Sequence, residues 1–297
     1  MLFAMAQVIR VCMLNADTPV PAVVVERTPT YGGIFHHLLS SAASNIAKSS
    51  EFPKGPITVA STDFNVVKNE YPLSLAEFDA IVISGSAKSA YDDLPWIHKL
   101  GRWLKHTYDH EPRVKIFGSC FGHQIVCQTL LKDYGVKVEK DAKGWELGVK
   151  EITLHQGFRR RFWNGKDEGR GQGVGEKLRL QFVHHDHVVI PEMEALPRSW
   201  TLVGNTQHCA VQGMYEPGRV LTLQGHFEFD RFVNRETIKF FFPNWQPKVL
   251  EEALDAIDAD DDSIQAAEMV VRFFLEDSGQ KYSAMHKGVR HALSSRE

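Results

Sequence analysis

The chain has 297 residues, 43% of them hydrophobic, and a formal net charge of −3. That size and apolar content can bury a full core, in one large α/β domain or a domain with an appendage. The charge balance gives no footprint for nucleic acid, and no run approaches the roughly 18 apolar residues of a membrane span. The four cysteines, Cys12, Cys120, Cys127 and Cys209, include no Cys-x-x-Cys pair. Neither a zinc ribbon nor a disulfide framework is indicated, and free thiols in a reducing, cytoplasmic setting are expected. Met1 to Met5 is apolar without a charged n-region and does not read as a signal peptide.

A strand is predicted over Val8–Leu14, ended by the turn-rich Asn15-Ala-Asp-Thr-Pro19, with irregular backbone expected up to Pro29. Ile34, Leu38, Leu39, Ala42 and Ile46 then recur at helical spacing, and Ile57–Ala60 is a second strand. His36 and His37 ride on that helix; with no third ligand nearby they read as surface or packing histidines rather than a metal pair. Phe78-Asp-Ala-Ile-Val-Ile83 carries a four-residue apolar strand core that runs into Ser84, Gly85 and Ser86. In an open parallel sheet, ligands bind beyond the carboxyl ends of strands, so this loop is a candidate oxyanion loop. An ordinary strand-end turn is the competing reading. Ile97, Leu100 and Leu104 mark the next helical face.

Val114-Lys-Ile-Phe-Gly-Ser-Cys-Phe-Gly-His-Gln-Ile-Val126 carries the strongest signal. A short buried strand meets a cysteine between Gly118 and Gly122 and turns helical, the pattern of a nucleophile elbow. Glycine relieves crowding at the sharp turn, and the first free N–H groups of the helix suit a reactive sulfur. A lone cysteine is more often a buried packing residue; the flanking glycines reverse that preference. The N–H groups of Gly85 and Phe121 are the expected oxyanion donors.

Beyond the elbow, strands are expected at Val136–Val138 and Glu151–Leu154, in a more antiparallel section. Residues 157–178 form a basic, glycine-rich stretch that matches no phosphate-binding pattern and reads as a surface insertion; Arg159–Arg161 gripping an anionic group is the alternative. Val183-His-His-Asp-His-Val188 could suggest a metal site. On an extended segment, however, only His184 with Asp186, or His185 with His187, share a face, which disfavours it. Leu196–Val203 and Cys209–Gln212 are expected as short strands. Val220–Phe229 is read as a strand delivering His226 and Glu228 two residues apart, a base and the carboxylate that orients it. Phe232, Ile238, Phe241 and Phe242 fit a helix ended by Pro243. A helical appendage follows, with the acidic run 258–262 as a helix cap. From Ser278 onward the tail shows little apolar patterning.

Together, Gly118-Ser-Cys-Phe-Gly-His-Gln124, Ser84-Gly85-Ser86 and His226-Phe-Glu228 resemble the triad type of class I glutamine amidotransferase. The resemblance implies a doubly wound, flavodoxin-like α/β domain over residues 1–245, with 246–297 as a helical C-terminal extension. It implies Cys120, His226 and Glu228 as catalytic triad, with no metal or cofactor. By the same resemblance Ser84, Ser86, Gln124 and the Val183, His184, His185, Asp186 segment line the site for glutamine or a γ-glutamyl small molecule. Phe227 stands where the family has proline, which frees φ between His226 and Glu228. No synthetase domain accompanies the motifs, so an ammonia-accepting enzyme would be another chain. Gln224-Gly-His-Phe-Glu228 also resembles the motif of plant γ-glutamyl peptidases, which release a peptide amine instead of ammonia. A non-catalytic regulatory protein retaining the fold is the third expectation.

Overall fold

The computed structural model describes residues 6–48, 55–162 and 175–276. Strand and helix alternate first: β1 (Gln7–Asn15), α1 (Pro21–Glu26), α2 (Tyr31–Lys48), β2 (Ile57–Asn65), β3 (Ala80–Ile83), α3 (Pro95–His110), β4 (Lys115–Ser119) and α4 (Phe121–Leu130). A strand-rich section follows: β5 (Lys137–Lys140), β6 (Glu146–Leu154), α5 (Gln156–Phe162), β7 (Lys177–His184), β8 (Asp186–Val189), β9 (Thr201–Leu202), β10 (Gly204–Asn205), β11 (Met214–Glu216) and β12 (Val220–Leu223). The helices α6 (Arg231–Phe241), α7 (Pro247–Ile257) and α8 (Ser263–Leu275) come last.

The central sheet has the order β2-β1-β3-β4-β12-β11-β9. Its first five strands are parallel, and β11 and β9 extend it antiparallel. Successive residues of a strand point to opposite faces, and β1 obeys this closely. Ile9, Val11 and Met13 join a core with α2 and α8, whereas Cys12 and Leu14 join the one with α3 and α4. Phe117 and Ile116 of β4 divide in the same way. A parallel sheet covered on both faces requires strands that are apolar throughout, as Ala80–Ile83 is. The architecture is thus the expected doubly wound, mostly parallel α/β sheet with an antiparallel section. Among the described residues no helix is long and apolar enough to cross a membrane.

Several local expectations change. The stretch after Asn15 contains α1, started by Pro21, whose fixed φ suits the first helical turn. Arg159, Arg160 and Arg161 lie on α5; Arg159 pairs with Glu176 at 3.2 Å and Arg161 with Glu276 at 3.3 Å. The rest of the basic insertion, residues 163–174, lies outside the described residues, as does the tail from Ser278. Cys209–Gln212 is not a strand; the antiparallel pairing is made by β9 with β11 instead. Regular strand also ends at Leu223, so His226 and Glu228 sit on irregular backbone. Asp262 occupies the N-cap position of α8 without bonding a helix N–H through its side chain. Its carboxylate is taken by Arg179, whose Nη2 donates at 2.8 Å and whose backbone N–H donates at 2.8 Å.

Candidate active site

Four parallel strands end at one cavity of about 400 Å³. Asp17 follows β1, Gly85 follows β3, Cys120 follows β4 and His226 follows β12, and all four line it. This is the crevice that the winding of the sheet leaves at the strands' carboxyl ends.

Cys120 has φ 51° and ψ −106°, a conformation that L residues rarely adopt. Strain of this kind persists only where the surroundings enforce it, and here two glycines do. A Cβ on Gly118 would lie 2.4 Å from the Gly122 carbonyl oxygen, and one on Gly122 would lie 2.3 Å from the Ile83 carbonyl oxygen. Only bare backbone lets β3, the end of β4 and the start of α4 approach so closely. The turn leaves Cys120 as the N-cap of α4, with Phe121 opening the helix.

His226 is 3% exposed, and its Nδ1 donates to Glu228 Oε1 at 2.7 Å. Its backbone N–H donates to the Gln181 carbonyl at 2.8 Å, and its ring stacks on Phe229 at 4.0 Å, with Tyr31 stacked beyond at 6.0 Å. Burial, the largest influence, pushes the imidazole down; the charges of Glu228 and then Cys120, with the hydrogen bond to Glu228, outweigh it and raise the pKa from 6.5 to about 10. His226 Nε2 is buried without a hydrogen-bond partner.

Gly85 packs against this group, since a Cβ there would lie 3.0 Å from His226 Cε1 and 3.6 Å from Cys120 Cβ. Among the described residues the N–H groups of Gly85 and Phe121 have no acceptor within the protein. Both are therefore available to developing negative charge. Ser86 lines the cavity and donates to Asp17 at 3.3 Å. Ser84 does not line it. Its hydroxyl donates to the Gly85 carbonyl at 2.9 Å and accepts from the Ala16 N–H at 2.9 Å, tying the loop to β1.

Gln124, one turn into α4, lines the cavity and donates through Nε2 to the Asp186 carbonyl and to Gln224 Oε1, both at 3.0 Å. Val183 and His185 line the cavity wall, the latter tilted against Trp145 at 5.1 Å. Burial and then Lys140 hold the His185 imidazole below its usual range. His184 borders the cavity, but its ring is committed behind it: Nε2 lies 2.9 Å from Glu146. Burial would raise the Glu146 carboxyl; hydrogen bonds from His184, Thr206 and Gln212 hold it low. Asp186 accepts from Ser89 Oγ at 2.5 Å and Tyr91 at 3.1 Å. His187 instead faces Asp141 at 3.3 Å, so the four polar residues of 184–187 do not converge. Among the described residues no group of three or more His, Cys, Asp or Glu is arranged to hold a metal.

Two contributors escape the motif reading. Gln224 Nε2 donates to Cys120 Sγ at 3.6 Å, linking the sulfur to Gln124. Ser119 donates to Glu228 Oε1 at 2.9 Å, with Oε2 at 3.2 Å. Gln224 adjoins the His-x-Glu segment and could have been suspected from that position. Nothing in the sequence ties Ser119 to Glu228, 109 positions away.

The sequence model of the glutamine amidotransferase class-I family matches residues 40–243. The chain is 31% identical over 272 residues to a glutamine amidotransferase-like protein of Schizosaccharomyces pombe, covering 90% of this chain and 98% of that one. It is 29% identical over 219 residues to gamma-glutamyl peptidase 2 of Arabidopsis thaliana, covering 72% and 80%. A glutamine amidotransferase structure from Thermotoga maritima shares the fold with a TM-score of 0.56 at 17% identity, covering 90% of this chain and 96% of that one. The chain belongs to the class-I glutamine amidotransferase family.

Proposed function

We propose that the protein hydrolyses γ-glutamyl amides through a glutamyl thioester on Cys120, with His226 and Glu228 completing a catalytic triad. The observation that carries this reading is a strained cysteine at a helix N-terminus facing a buried His–Glu pair across an open cavity. The sulfur, its proton held on His226, attacks the amide carbonyl carbon, and the carbonyl oxygen becomes an oxyanion held by the Gly85 and Phe121 N–H groups. The C–N bond breaks as His226 gives its proton to the leaving nitrogen. Neutral His226 then takes a proton from water, hydroxide displaces the sulfur from the thioester, and glutamate leaves. Glu228 holds the ring and balances its cation throughout. On this reading residues 1–245 carry the catalytic residues, and 246–297 is a C-terminal extension whose α8 packs into the core of the sheet.

A second reading concerns the leaving group. A cavity of about 400 Å³ walled by Trp145, Phe229 and Phe242 has room and apolar surface beyond the needs of glutamine's ammonia. This favours substituted amides, as in γ-glutamyl peptides. If glutamine is nevertheless the donor, the ammonia acceptor is another chain. Steady-state rates on glutamine and glutathione separate the two: the peptide reading expects glutathione to have the higher kcat/KM. In either case Cys120→Ala should lose roughly three or more orders of magnitude, since oxyanion donors and binding alone sustain only a residual rate. Near-normal turnover by that variant, or an inert wild type, would favour the non-catalytic reading.

A further inference from the structure

Glu228 holds two partners at once. Its Oε1 accepts from His226 Nδ1 at 2.7 Å and from Ser119 Oγ at 2.9 Å, with Ser119 Oγ 3.2 Å from Oε2. Ser119 is fully buried and Glu228 is 4% exposed, so water does not compete for the carboxylate. A hydrogen bond to an ionised acceptor in such surroundings is among the stronger kinds.

The two residues come from very different backbone. Ser119 ends β4, is paired in register with Leu223 of β12, and directly precedes Cys120. Glu228 lies beyond the end of β12 on a segment held by a single bridge, between His226 and Gln181 of β7, a strand outside the central sheet. Phe227 anchors that segment on one side by packing against Phe35 and Phe117. Its neighbour's carboxylate is bonded to His226 and, among the described residues, to Ser119 alone besides.

We propose that Ser119 is a positioning residue for the reaction: its hydroxyl locks the Glu228 carboxylate onto the strand that carries Cys120 and takes up part of the charge that Glu228 presents to His226. The proposal rests on the Cys120, His226 and Glu228 reading. Two consequences follow from the geometry. Nucleophile and orienting carboxylate are held by adjacent residues, Ser119 at the end of β4 and Cys120 at the turn into α4, which fixes the ring between them. Sharing the carboxylate also keeps the His226 cation from being over-stabilised, so that the ring can release its proton to the leaving group. The other titratable groups about the pair are Cys120 on the elbow, Tyr31 on α2 and Asp17 after β1, and the variants below leave them in place.

The test is the pH dependence of kcat and kcat/KM for Ser119→Ala and Ser119→Thr on the γ-glutamyl donor that the wild type turns over fastest. Removing the hydroxyl should lower kcat about tenfold with KM within about twofold, and move the alkaline limb up by about half a pH unit, because the whole carboxylate charge then falls on His226. Ser119→Thr keeps the donor and should restore both. If the alanine protein does not fold, Ser119→Cys keeps the volume with a much weaker donor and is expected to show the same shift. An unmoved alkaline limb with wild-type kcat, or a threonine variant as impaired as alanine, overturns the positioning role alone. A wild type with no γ-glutamyl turnover overturns the triad reading and this proposal together.

Discussion

The elbow and the His–Glu segment reach the same cavity by opposite means. At the elbow, Gly118-Ser-Cys-Phe-Gly122 is built by short-range sterics. Two missing side chains allow three backbones to touch, and the helix that follows fixes where the sulfur points. At residues 224–229 the backbone has left the sheet, and distant partners set the geometry: Gln181 on the His226 N–H, Phe229 against its ring, and Ser119 on Glu228. The elbow is therefore a packing device and the second segment an electrostatic one. Perturbing them should leave different signatures.

The largest difference is expected from Glu228→Gln. The amide can still accept from Nδ1 but carries no charge to hold the imidazolium, and burial then drives His226 down. Activity should fall by roughly 10²–10⁴, as when a triad carboxylate is neutralised in place. The alkaline limb of kcat/KM, expected near pH 10 for the wild type from the raised His226 value, should move down, with Cys120 alone then opposing burial. The sign for stability is the same. With the folded value raised, the ion pair's contribution is complete below about pH 6.5 and lost as pH rises through about 10. A limb that stays in place would contradict the electrostatic role assigned to Glu228.

A smaller and different effect is expected from Gly122→Ala. Its methyl group would meet the Ile83 carbonyl oxygen at 2.3 Å, so β3 and α4 must move apart, at a cost of about 1–3 kcal/mol. Thermal melting should register that loss, and kcat should fall as the sulfur shifts from the oxyanion donors. The pH profile of the remaining activity should be unchanged. A shifted profile with wild-type stability would mean that the elbow, too, acts through charge.

The same contrast explains what was legible in the sequence. Apolar strands running into small residues, as at Ile83-Ser84-Gly85 and Phe117-Gly118, are local patterns, and the mostly parallel α/β class and the elbow followed from them. The pairing of His226 with Glu228 survived even though the strand expected to present them stops at Leu223, because the Gln181 bridge to His226 and the Ser119 bond to Glu228 hold the two side chains together on irregular backbone. Long-range commitments were hidden. Asp262 reads as a helix cap but is claimed by Arg179, and the His184 ring is held by Glu146 behind the cavity wall while the residue itself lines the cavity. Cys209–Gln212 has strand-like residues, yet the antiparallel edge forms through Met214–Glu216 beside β12. The β-type residues at 209–212 form no strand, since edge pairing depends on neighbours that local sequence does not specify.

The central claim is that Cys120 becomes acylated by a γ-glutamyl group. Mass spectrometry of the intact protein, quenched during turnover of glutamine, glutathione or a glutathione conjugate and then digested, tests it most directly. A glutamyl adduct mapped to Cys120, formed by at least one donor and absent from Cys120→Ala, is the predicted result. Hydrolysis that continues in Cys120→Ala, or an adduct mapped to another residue, would contradict it.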